Sequence, residues 1–224
     1  MSATSYPPFF TLSMKPLARR VFVGFALVAF SALLPAFALA GNPQPPISVA
    51  TVRFNSVRSA TGDWHVTEVE LQPRAGEGVK NRNFIDRVKV TLNLGVFSVK
   101  SPAGAKVPDT YYRASAEAVA VENTGSRTVF RFYLPPEIVK RDQITGDIKF
   151  YLVEVFVDGK PMPMDKDNVS LLTLPKPEIV ESFRSKVSGG AGVNDGILLP
   201  QYLTPFANTG SPPSPSFFRL EPAR

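Results

Sequence analysis

Between Phe84 and Phe97 the chain alternates: Val88, Val90, Leu92, Leu94 and Val96 are apolar, and Arg87, Lys89, Thr91, Asn93 and Gly95 lie between them. A period of two predicts a strand with one set in a core and the other in solvent. Burying five branched side chains at about 1.5–3 kcal/mol each supplies on the order of 10 kcal/mol, and a slip of one residue would turn all of them outward. Ile148 to Val157 is apolar on both faces, which predicts a central strand covered from two sides. Asp158-Gly159 follows as a two-residue hairpin turn, and the return from Lys160 soon meets Pro161 and Pro163. Prolines cannot donate to a ladder, so that return is an edge. Tyr111 to Val121 and Arg127 to Leu134 read as a hairpin around Asn123-Thr124-Gly125-Ser126, with Phe130, Phe132 and Leu134 on one face. Ile47 to Val57 and Trp64 to Leu71, joined by Thr61-Gly62-Asp63, bring the count to seven. The expected fold is all-β, an antiparallel sandwich of about seven strands.

One helix is expected beside these strands. Pro177 suits a first helical position, Ile179, Phe183 and Val187 recur every fourth residue, and Gly189 ends the pattern. Such a helix packs on a sheet or caps an open end of the sandwich. From Gly189 to Arg224 six prolines, five glycines and three serines stand among 36 residues, too many for regular structure. Ile197-Leu198-Leu199, Tyr202-Leu203, Phe206 and Phe217-Phe218 nevertheless sit among them. A solvating tail would not carry such clusters, so the segment lies over its own domain or adds to a partner.

The N-terminus reads as an address. Lys15, Arg19 and Arg20 precede the apolar run Val21 to Leu34, Pro35 ends it, and Ala38-Leu39-Ala40 forms a small-residue cleavage site. The expected organisation is a signal peptide at 1–40, a Pro-rich linker at 41–46, the sandwich at 47–174, the helix at 175–188 and an irregular tail at 189–224. An uncleaved leader would be a membrane anchor, the one expected membrane contact, since Val21 to Ala40 is almost long enough to span a bilayer. The leader holds three of the 25 basic residues and none of the 19 acidic ones, so the formal charge falls from +6 to +3 beyond it. The remaining charges alternate in sign, as in Asp165-Lys166-Asp167, which leaves no basic stripe for a nucleic-acid backbone.

Asp147-Ile148-Lys149-Phe150-Tyr151-Leu152-Val153 resembles the Asp-x-x-x-Tyr-x-Cys run of an immunoglobulin strand F, with Val153 in the cysteine's place and Asp158-Gly159 leading to strand G. More specifically, the leader ending at Ala40, the Ile47–Val57 strand, Val88–Val96 and Phe150 through Gly159 make the chain similar, over Ile47 to Leu174, to a family of immunoglobulin-like, pilus-associated proteins from verrucomicrobial gut bacteria. The resemblance implies an immunoglobulin-like sandwich linked to a type IV pilus-like apparatus. A true pilin keeps its apolar assembly helix after the processing site. Here it precedes Gly41, so an accessory or envelope role is implied instead of direct polymerisation.

Catalytic chemistry is not expected. The chain has no cysteine and a single histidine, His65, so thiolate zinc sites, cysteine nucleophiles and two-histidine metal motifs are excluded. Gly76-Glu77-Gly78 lacks the third glycine of a dinucleotide loop, and Asp165-Lys166-Asp167-Asn168 lacks the turn glycine and terminal acid of a calcium loop. Glu68 and Glu70 share one strand face like a carboxylate pair, without a pocket that the sequence reveals. No catalytic, cofactor or metal residue is assigned. The candidate contacts are Trp64, Tyr111, Tyr112, Leu198, Leu199, Tyr202, Leu203 and Phe206. The expectation is a non-enzymatic exported protein of the periplasm, outer membrane or cell surface. It would assemble with itself or with pilus-like envelope proteins, without nucleic acid. The alternative is a glycan-binding module for mucin, with Trp64, Tyr111 or Tyr112 stacking on sugar rings.

Overall fold

A computed structural model describes residues 44–74, 83–99, 101–102, 104–105, 107–171 and 176–219. The leader at 1–40, most of the 41–46 linker and the Gly76-Glu77-Gly78 loop lie outside the described residues. The long strands are β1 (Ile47–Ser59), β2 (Gly62–Pro73), β3 (Phe84–Val96), β4 (Thr110–Glu122), β5 (Thr128–Leu134) and β6 (Phe150–Val157). Four short ones are β7 (Lys160–Pro161), β8 (Val169–Leu171), β9 (Leu199–Pro200) and β10 (Phe217–Phe218). Helix α1 (Pro136–Arg141) links β5 to β6, and α2 (Pro177–Asn194) follows β8. One sheet has the order β1-β2-β5-β9 and the other β10-β4-β3-β6-β7, with β8 also on β6, all antiparallel. The fold is an all-β sandwich with immunoglobulin-like strand order. Seven of the ten strands among the described residues are those the sequence predicts, and β8, β9 and β10 are additional.

The core lies between the sheets. Val88, Val90, Leu92 and Leu94 are fully buried, facing Val69, Leu71, Phe130 and Phe132. The opposite set on β3 departs from expectation, because Thr91, Asn93 and Gly95 are buried rather than solvated. Helix α2 lies over that face. Val180, Phe183 and Val187 pack with Tyr111, Phe150 and Leu152 in a second apolar cluster. Phe150 and Leu152 thus face the helix while Val153 and Val155 face the main core, which is why β6 is apolar on both sides.

Two local expectations are corrected. β4 and β5 do not form a hairpin: β4 pairs β3, β5 pairs β2, and residues 123–127 cross from one sheet to the other. Sequence adjacency and a turn glycine are common to a hairpin and a sheet-switching arch, and only the pairing partners separate them. Helix α2 also runs past Gly189 to Asn194. Gly190 stands against the Tyr111 ring, where a Cβ would come within 3.3 Å, and Asn194 Nδ2 donates to the Tyr111 carbonyl at 3.0 Å. Glycine here permits close packing of the helix instead of ending it.

Asp158 and Gly159 both have positive φ, 48° and 75°, as the tight β6–β7 turn requires. Asp165 caps a 3-10 turn at Lys166–Asn168. There the buried Asn168 donates to the Val153 carbonyl, so these residues tie a loop to β6.

Candidate functional site

The C-terminal segment is a strap that closes one open side of the sandwich. After α2, Leu198 enters the main core with 2% exposure, and β9 adds to β5 through Tyr133↔Leu199 and Phe132↔Pro200. Phe206 then stacks on Tyr133, with ring centroids 5.2 Å apart and planes at 13°. It also meets Trp64 edge-on at 5.6 Å. Further along, Val119 N–H donates to the Ser216 carbonyl at 2.9 Å, β10 pairs with β4, and Phe217 packs edge-on against Phe130. The strap thus extends one sheet with β9 and the other with β10.

Two buried polar side chains lock it in place. Arg131 projects from β5 with its side chain 3% exposed. Its Nε donates to Glu68 Oε1 at 2.7 Å, and its Nη1 donates to the Pro212 carbonyl and Ser214 Oγ, both at 3.1 Å. A buried guanidinium needs several acceptors, and the strap supplies two of them. Gln201, 2% exposed, donates to the Phe206 carbonyl at 2.9 Å and the Thr209 carbonyl at 2.5 Å, and Ser214 Oγ contacts its Oε1. Sequence reasoning missed both residues. An Arg amid an aromatic strand, Phe130-Arg131-Phe132, was the available signal.

The structure places the sequence-predicted candidates within this packing. Trp64, Leu199, Tyr202, Leu203, Leu198 and Phe206 gather on or beneath the strap, and of these Leu203 is exposed, at 45%. Trp64 is 8% exposed, its Nε1 donating to Ser59 Oγ at 3.1 Å. Tyr111 and Tyr112 do not join them. Tyr111 lies under α2 against Phe183, its hydroxyl donating to the Pro108 carbonyl at 2.7 Å. Tyr112 points into the core and its hydroxyl donates to Asp142. The ring faces of Trp64, Tyr111 and Tyr112 are therefore occupied by the chain's own side chains.

Glu68 and Glu70 form an ion-pair ladder on the outer face of the first sheet. Glu70 meets Arg53 and Arg127 at 2.8 Å each, and Glu68 meets Arg131 and accepts from Asn55 Nδ2 at 3.1 Å. Elsewhere, burial opposes ionisation of Asp142. Hydrogen bonds from Arg141 and Tyr112 outweigh it and hold the carboxyl below its usual range. Burial, followed by the Asp142 hydrogen bond, raises the Tyr112 hydroxyl well above its ordinary value.

The other side of the sandwich carries edge strands. β1 pairs only β2 and lies near the 166–168 turn and β6, while β7 ends the second sheet. Arg53, Asn55 and Arg58 on β1 are exposed, as are Lys160, Pro161 and Pro163. Among the described residues no helix is long and apolar enough to cross a membrane.

No known protein family and no curated protein matches the chain. Among solved structures, that of a protein from Akkermansia muciniphila is similar, with a TM-score of 0.50 at 18% identity. It covers 80% of this chain and 96% of that one. The likeness is one of fold.

Proposed function

We propose that this chain is a non-enzymatic, exported cell-envelope protein that acts through protein–protein contacts, as a component or associate of a pilus-like assembly. The observation that carries this reading is the division of labour between the two open sides of the sandwich. One side is sealed by the strap, and the other presents β1 and β7 as unpaired edges. Edge strands offer backbone donors and acceptors to another protein. The resemblance to pilus-associated proteins and a fold neighbour from a verrucomicrobial gut bacterium support the pilus-like setting. The carboxylates at Glu68 and Glu70 are held by arginines, which gives them a structural task.

Photo-crosslinking in the native envelope from Asn55 on β1 and Lys160 on β7 tests the reading. Adducts with this chain or another envelope protein are expected from those positions and not from Glu178 on α2. A purified chain that is monomeric by light scattering and forms no adduct in the envelope would overturn it.

A further inference from the structure

The strap meets its seat almost entirely through side chains. Its ladder contributions are two residues at β9 and two at β10, while Leu198, Phe206 and Phe217 fill apolar sites and Arg131 grips Pro212 and Ser214. The connection to the rest of the chain is a short turn at Asp195-Gly196 immediately after α2, where Gly196 has φ 75°. Pro200, Pro205, Pro212, Pro213 and Pro215 restrict the strap's backbone, and Gln201 ties its residues 206 and 209 together, so much of its shape is set within the strap itself.

We propose that the seat formed by the β4 and β5 edges and Arg131 accepts the strap of a second copy of this chain, linking copies by strap exchange. Every seat contact survives the exchange because donor and acceptor sequences are identical. The home and exchanged forms then differ only in the turn at 195–196 and in the concentration of neighbouring copies. The seat selects an extended backbone with an acceptor at 212 and another at 214, set between apolar anchors at 198, 206 and 217. Each copy gives one strap and receives one, a head-to-tail contact that closes into a ring or runs on as a chain. This inference rests on the reading of the protein as one that assembles through protein contacts.

The chain has no cysteine, so introduced thiols crosslink against no background. Phe218 lies directly opposite Glu117 in the β10–β4 register, within disulfide reach. A full-length chain carrying Glu117→Cys and another carrying Phe218→Cys are refolded together and oxidised, and the bridged peptides are identified by mass spectrometry. Strap exchange yields a covalent dimer joined between positions 117 and 218, and none when Leu203→Cys replaces Phe218→Cys. The exposed pair Val119→Cys and Ser216→Cys, which also lie across from each other, repeats the test if the first pair perturbs folding. If the mixture gives no such dimer while one chain carrying both Glu117→Cys and Phe218→Cys bridges within itself, the exchange is overturned. Oligomers by light scattering in that case leave the assembly reading standing, and monomers throughout remove both.

Discussion

Lowering the pH from about 7.5 to about 5 should weaken the fold through one side chain. His65 sits on the core side of β2 with 6% exposure, stacked on Phe54 at 5.8 Å, and its Nε2 has no protein hydrogen-bond partner among the described residues. Protonation there would place a cation in the interior. Burial therefore lowers its pKa from 6.5 to about 4, and the nearby Asp147 charge offsets this only in part. A depressed pKa means that the unfolded chain takes up protons first. The stability contribution is intact above 6.5 and is lost as pH falls from there towards 4. The full loss is about 3 kcal/mol, of which about 2 kcal/mol is already gone at about pH 5. Asp109 and Asp142 are held below the usual carboxylate range, so their losses come at lower pH and leave this window to the one histidine. Urea denaturation followed by fluorescence of Trp64, the single tryptophan, reads the change. The His65→Gln chain should lose less than about 0.5 kcal/mol over the same interval, an ordinary neutral-site effect. Equal losses in both chains would refute the reasoning, whatever the absolute stability of the variant.

Leu198→Ala removes a strap anchor buried in the core and should cost about 2–5 kcal/mol in urea denaturation, whereas Leu203→Ala, at an exposed position of the same strap, should stay within about 0.5 kcal/mol. Tyr112→Phe takes a donor from the buried Asp142 carboxylate and should cost about 1–3 kcal/mol; a loss below about 0.5 kcal/mol would mean that Arg141 alone satisfies that carboxylate. Gly95→Ala places a Cβ 2.9 Å from Pro108 Cγ and 3.0 Å from Phe183 Cε2, so Pro108 must move and the Phe183 ring on α2 must give way. Overpacking of this kind should cost about 1–3 kcal/mol and speed amide exchange in α2 relative to β3, and unchanged exchange would refute it.

The two strands most legible in the sequence are those whose patterns have one physical cause. β3 alternates because its odd and even residues meet different neighbours, and β6 is apolar throughout because a core and a helix lie on opposite sides of it. Legibility failed where one residue type serves two geometries. The glycine at 125 turns a sheet-switching arch as readily as a hairpin, and a glycine such as Gly190 allows close helix packing as readily as it ends a helix. The candidate contacts were legible as apolar residues that needed cover, and apart from the exposed Leu203 the chain's own side chains pack against them. Arg131 left little trace in the sequence because its strap partners lie 81 and 83 residues away, and Gln201, whose partners at 206, 209 and 214 are close in sequence, left little because a polar residue in a Pro-rich segment reads as solvated.

The asymmetry of the two open sides constrains how copies can meet. A sandwich with bare edges on both sides would pair sheet to sheet in either direction, a route to disordered aggregation. Here the strap fills the β4 and β5 edges, and its grip depends on chemistry that a generic strand lacks: two acceptors spaced for Arg131, and a Gln201 that folds residues 206–214 back upon itself. On the far side, Arg53 and Arg58 along β1 are paired with Glu70 and Asp63, and Pro161 and Pro163 beside β7 call for a partner whose ladder tolerates missing donors. Strap exchange, as proposed, would therefore be specific to this chain's own sequence, while the second side would be left to a different contact. A chain with both properties can be joined to its own kind and attached to something else at the same time, because the two surfaces do not compete.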